Sequence, residues 1–169
     1  MQHHGKPIKE STVQKYLTVV SAVLSDAKRN EIIQKNPARM IDLPQCEQSK
    51  QFVPTDEEAQ LLLTAFCNLP LTYETYYVLA MFTGCRRGEL CALKWSDVTI
   101  YDNYDWATIN ISRSRSSVPG KGVVEGSTKS GRSRTVAVDS DIAGLIACLY
   151  TEKEREANER GEEISEYIF

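Results

Sequence analysis

The stretch Thr83-Gly84-Cys85-Arg86-Arg87-Gly88-Glu89-Leu90, continued by Leu93, Trp95 and Asp97, decides how this chain reads. Residues 76–82 are an unbroken apolar run, which predicts a buried helix over 71–83. Gly84 can take the left-handed conformation that ends such a helix. A second helix is expected over 86–94, with Glu89, Leu90 and Leu93 on one face. Helix starts carry spare N–H groups and a partial positive charge, so they favour anions. An arginine there adds a flat fork of donors that fits a phosphate.

At 169 residues the chain suits one domain, or one domain plus part of a second. No apolar run approaches a membrane span, and no signal-peptide pattern opens the chain. The five cysteines are scattered with no C-x-x-C, so reduced thiols, a cytoplasmic location and no zinc site are expected. His3 and His4, beside the terminus, are not expected to bind metal. The net charge of −3 argues on its face against nucleic acid, but the charges are segregated. Arg113, Arg115, Lys121, Lys129, Arg132 and Arg134 face a single acid, Glu125, over residues 113–134. Lys28, Arg29, Lys35 and Arg39 form a second basic cluster, and the acids pool over residues 152–166. Such segregation can give an acidic protein a basic working face. A solvated hairpin and a solvated helix would produce the same pattern.

Ser11 with Gln14 resembles a capping box, and Val13, Tyr16, Leu17, Val20, Val23, Leu24 and Ala27 recur at helical spacing to about Arg29. Asn36-Pro37 and Pro44 end the helical region. Some forty residues cannot bury a core alone, so residues 1–44 are expected to be the later part of a helical domain. Residues 45–54 read as a linker. Thr55 with Glu58 opens another helix, whose face is Ala59, Leu62, Leu63 and Phe66. Then the period shifts to two. Short strands are expected at 98–100 and 106–111, a loop at 116–122, and strands at 123–129 and 133–138 joined through Ser130-Gly131-Arg132. A helix from Asp139 carries Ile142, Leu145, Ile146 and Leu149 and breaks at Gly161, and residues 167–169 resemble the start of a strand.

Thr83 to Leu90 with Leu93-Lys94-Trp95-Ser96-Asp97-Val98 resembles the first arginine motif of the tyrosine recombinases, the phage-integrase family. Thr128-Lys129-Ser130-Gly131-Arg132-Ser133-Arg134-Thr135-Val136 is similar to that family's β-hairpin with its catalytic lysine, and Asn36-Pro37 resembles the close of its core-binding domain. The three features occur in the family's order. The resemblance implies an α+β, mainly helical fold. Residues 55–169 would be the first part of a catalytic domain with a small three-stranded antiparallel sheet, preceded by a partial helical core-binding domain.

The resemblance makes Arg86 the arginine that clamps the scissile phosphate, where phosphoryl transfer builds charge on the non-bridging oxygens. Arg87 would point about 100° around the helix. Glu89 would position Arg86, because a carboxylate beside an arginine is too weakly basic for a general base. Lys129 would protonate the 5′-hydroxyl leaving group. Arg113, Arg115, Arg132 and Arg134 would contact the DNA backbone, and Lys28, Arg29, Lys35 and Arg39 would do so from the helical domain. Without the motif, Arg86 and Glu89 would make a surface ion pair and Lys129 would be a solvated hairpin lysine.

The family's nucleophile is a tyrosine that forms a 3′-phosphotyrosyl bond, so the resemblance implies neither metal nor cofactor. That tyrosine and its preceding His-x-x-Arg motif match nothing in these residues, and none of the eight tyrosines, Tyr167 included, is assigned as nucleophile. The chain is therefore expected to be a piece of a site-specific recombinase, inactive alone. Double-stranded DNA would be its partner, with no membrane, and the parent would work as a tetramer on DNA. A non-catalytic DNA-binding remnant that occupies recombination sites is the alternative, and an α+β interaction module without a nucleic-acid role is a third reading.

Overall fold

The structure, a computed structural model, describes residues 2–3, 6–42, 52–128 and 131–169. Two compact units divide the chain, Met1–Val53 and Pro54–Phe169.

In the first unit, β1 (Gln2–His3) pairs antiparallel with β2 (Lys6–Pro7), and α1 spans Glu10–Arg29. The helix begins before Ser11, so Lys9 holds the cap position without a side-chain bond and Ser11 lies in the first turn. Glu10 supplies negative charge to that end instead. Asn36 closes the unit. Its Nδ2 donates to the Ser21 carbonyl and the Ser25 hydroxyl at 2.9 Å each, and its Oδ1 accepts from the Ala38 N–H. That last bond caps the 3-10 turn Pro37–Met40. Among the described residues of this unit only Asn36 and Ala38 are buried. Tyr16, Val19, Val20 and Val23 of α1 stay exposed, as a segment without its own core requires.

The second unit opens with α2 (Asp56–Phe66), where Thr55 and Glu58 form the expected capping box. Next, α3 (Leu71–Thr83) ends at Gly84, left-handed with φ +61°. Only Thr75 and Leu79 of α3 are buried, whereas Tyr73, Tyr77, Met81 and Phe82 are exposed. Its apolar residues surround the helix, but only one side meets the core.

The 86–94 helix does not form as expected. Helix α4 is a single turn, Arg87–Leu90. Lys94 is extended and Trp95–Asp97 form a 3-10 turn, where the C-terminal segment pairs with the chain. Ile168 N–H donates to the Leu93 carbonyl at 3.0 Å, Trp95 N–H to that of Glu166 at 3.1 Å, and Lys94 bridges Tyr167.

Five strands follow: β3 (Val98–Tyr101), β4 (Trp106–Ile111), β5 (Arg113–Val118), β6 (Gly122–Ser127) and β7 (Arg134–Asp139). A three-stranded antiparallel sheet has the order β3-β4-β7, with Val98 opposite Ile109 and Arg134 opposite Ile111. The other two strands form a separate hairpin, with Arg113 opposite Ser127. The expected pairing of 123–129 with 133–138 is therefore wrong, and the expected loop at 116–122 shrinks to residues 119–121. Every residue of β6 is exposed, so it has no apolar face to bring to the core sheet. Strand β7 does, through Val136 and Val138.

Helix α5 (Ser140–Arg160) starts at Asp139, whose Oδ1 accepts from the Ile142 N–H, and stops at Gly161. Its Ile142, Ala143, Ile146 and Leu149 pack with Ala107, Ile109 and Ile111 of β4 and with Leu79, Leu90, Leu93 and Ile168. Each fully buried leucine or isoleucine side chain among them contributes about 2 kcal/mol. No helix among the described residues is long and apolar enough to cross a membrane.

Candidate functional site

Glu89 is the centre of the site. It sits on α4 beside Leu90 and is 1% exposed. A buried carboxylate must be paired and hydrogen-bonded. Its Oε1 accepts from Arg86 Nη1 at 2.9 Å. Its Oε2 accepts from the Arg86 backbone N–H at 3.0 Å and from Arg134 Nη2 at 2.7 Å. These bonds, led by that from Arg134, hold the Glu89 carboxyl down to about 2 against the opposing effect of burial. Glu89 is thus an anchored anion and not a base, and its pair with Arg86 is not a loose surface contact.

Arg86 occupies the cap position of α4. Its side chain is 59% exposed, so it stays open to solvent while Nη1 is tied to Glu89. Because α4 has four residues and the Arg86 N–H already serves Glu89, the guanidinium rather than a helix dipole is the group that could meet an anion here.

Arg134 was expected to meet the DNA backbone, and the structure places it at Glu89 instead, with its side chain 38% exposed. Its Nη2 also lies 3.9 Å from Cys85 Sγ, whose thiol burial pushes up. The alternation along β7 carried the signal: Arg134 shares the inward face with Val136 and Val138.

The hairpin reaches α4 through Gly88. A Cβ there would lie 2.6 Å from Ser114 Oγ and 2.7 Å from the Arg115 carbonyl oxygen, so only glycine permits this approach. Arg113 is turned inward, donating to Asp97 Oδ2, which also accepts the Lys94 N–H. Arg115 reaches the Cys91 carbonyl and stacks 4.1 Å from the centre of the Tyr167 ring. The Tyr167 hydroxyl donates to Glu125 at 2.9 Å, which raises its pKa. Arg132 is exposed, and its side chain has no partner among the described residues.

Lys129 lies outside the described residues. The described residues on either side of it are hydrogen-bonded to one another: Thr128, buried, donates its hydroxyl to the Arg132 carbonyl at 2.8 Å, and Gly131 N–H donates to the Thr128 carbonyl. Thr128 escaped the sequence reading as anything more than part of a motif. In the first unit, Lys28, Arg29, Lys35 and Arg39 all line one groove of about 500 Å³. Among the described residues, no group of three or more His, Cys, Asp and Glu is placed to share a metal ion.

The sequence pattern of the phage integrase family matches residues 53–169. The chain belongs to the phage integrase family. This integrase-family chain is 24% identical over 154 residues to the ICEBs1 integrase of Bacillus subtilis (strain 168), covering 91% of the chain and 41% of that relative. It is 29% identical over 108 residues to the putative defective protein IntQ of Escherichia coli (strain K12), covering 64% and 27%. Its fold is that of the Tn1549 transposon integrase solved in complex with a circular intermediate DNA, with a TM-score of 0.74 at 16% identity. That likeness covers 85% of this chain and 46% of the other. The integrase-family chain thus spans less than half the length of each of these relatives.

Proposed function

We propose that this chain supplies the first phosphate-binding half of a tyrosine recombinase active site, acting on double-stranded DNA in site-specific recombination or integration. The observation that carries the reading is the buried Glu89 carboxylate holding an outward-facing Arg86 guanidinium in a chain of the phage integrase family. In this reading Arg86 binds the non-bridging oxygens of the scissile phosphodiester. A guanidinium fixed in advance stabilises the charge that grows there without reorganising. Lys129, next to Thr128 in sequence, delivers the proton to the 5′-hydroxyl leaving group. A tyrosine outside the motifs found here attacks phosphorus, and the 3′-phosphotyrosyl ester keeps the bond energy for rejoining.

Arg115 and Arg132, with the Lys28, Arg29, Lys35 and Arg39 groove, bind the DNA backbone. Arg113 and Arg134 are engaged by carboxylates and act on the fold and on Arg86. Residues 1–44 are the end of a core-binding domain, 45–54 a linker, and 55–169 the start of the catalytic domain. The full protein works as a tetramer on DNA in the cytoplasm, which suits the unpaired Cys67, Cys85, Cys91 and Cys148.

The test is a nicked duplex incubated with a polypeptide that joins these residues to the nucleophilic tyrosine. A covalent protein–DNA adduct is expected, and Arg86→Ala slows its formation by roughly 100-fold. Full adduct formation by Arg86→Ala contradicts the reading.

A further inference from the structure

We propose that Arg134 is a positioning residue whose task is to neutralise Glu89, so that Arg86 faces the phosphodiester with an undiminished positive charge. The proposal rests on the reading of Arg86 given above. The two arginines and the carboxylate carry a net charge of +1. Without Arg134, Arg86 and Glu89 would form a neutral pair, a poor ligand for a phosphate.

The division of oxygens supports this assignment. Arg86 takes Oε1 with one guanidinium nitrogen, and Arg134 takes Oε2 at the shorter distance, 2.7 Å against 2.9 Å. An Oε2 left to the Arg86 N–H alone would be an under-satisfied anion at a site 1% exposed. It would draw the Arg86 guanidinium inward, because unpaired buried charge is costly. The more exposed arginine is Arg86, at 59% against 38%. One arginine therefore serves the carboxylate and the other is left for the ligand.

The test separates charge balance from mere support of the fold. A fluorescein-labelled duplex is titrated with the 169-residue chain at a series of NaCl concentrations, for the wild type, Arg86→Ala, Arg134→Gln, Glu89→Gln/Arg134→Gln and Arg134→Lys. Arg134→Gln is expected to bind roughly tenfold more weakly, with a log–log salt slope smaller by about 0.9, the value of one phosphate contact. Removing the charge of Glu89 in the same chain returns the slope to near the wild-type value and recovers part of the affinity, since a neutral amide at this position holds Arg86 less firmly than the carboxylate does. Arg134→Lys, which keeps the charge, retains the wild-type slope. A double variant as weak as Arg134→Gln overturns the proposal, because it makes Arg134 a direct DNA contact or a structural prop. Should Arg134→Gln fail to fold by circular dichroism, Arg134→Lys decides: a slope lowered by about 0.9 in a folded Lys variant also overturns it. Arg86→Ala with unchanged affinity and slope would sink the underlying phosphate reading instead, whatever the Arg134 variants do.

Discussion

Arg134 Nη2 on β7 lies 2.7 Å from Glu89 Oε2 on α4, although 45 residues separate them in sequence. This bond ties the sheet to the single helical turn that presents Arg86. It also makes Glu89 a permanent anion under ordinary conditions, with a carboxyl held at about 2.

The Glu89 carboxyl is lowered on folding, so its contribution is fully present above the unfolded value of about 4.5 and is lost as pH falls toward about 2. The shift corresponds to about 3 kcal/mol. Urea unfolding between neutral pH and pH about 3 is expected to show stability falling in that window. Glu89→Gln is expected to flatten this fall and to lower stability at neutral pH by about 2 kcal/mol, because two arginines lose their counter-charge. An unchanged pH profile in Glu89→Gln would remove Glu89 from the role given to it.

Gly88→Ala places a methyl group against the Ser114 hydroxyl and the Arg115 carbonyl at under 3 Å. One of those contacts is backbone, so relief requires β5 to move away from α4. A loss of about 1–3 kcal/mol is expected, read as a lower thermal midpoint. A midpoint equal to the wild type would mean that the hairpin is not held against α4.

Arg113→Ala leaves Asp97, which is largely buried, with only the Lys94 N–H as partner. A cost of about 1–3 kcal/mol is expected, with no change in the salt slope of DNA binding. A slope smaller by about 0.9 with unchanged stability would restore Arg113 as a phosphate contact.

The elements with local signals were legible in the sequence. Thr55 and Glu58 mark the start of α2, Gly84 and Gly161 mark two helix ends, and the alternation of Ala107, Ile109 and Ile111 marks the central strand. Elements set by distant partners were not. The 86–94 helix was lost because Leu93 and Trp95 pair with residues 166–168, some seventy positions away. Strand β6 was matched to its sequential neighbour because β-propensity does not name a partner, while burial on only one of the two possible mates does. At the site, the motif identified Arg86 and Glu89 as a pair. The third member, Arg134, was grouped with the surface cations, since its inward orientation depends on a register that the strand at 133–138 only implies.

The central claim is that Arg86 binds a DNA phosphate while Glu89 holds it in place. Its most direct test is the log–log dependence of duplex affinity on NaCl concentration for the wild-type chain and for Arg86→Ala. Arg86→Ala takes the partner of Glu89 Oε1 away, but Oε2 keeps its bonds to Arg134 and the backbone N–H of residue 86. The variant is expected to stay folded, to bind more weakly, and to show a slope smaller by about 0.9. A folded Arg86→Ala chain whose slope and affinity match the wild type would contradict the account.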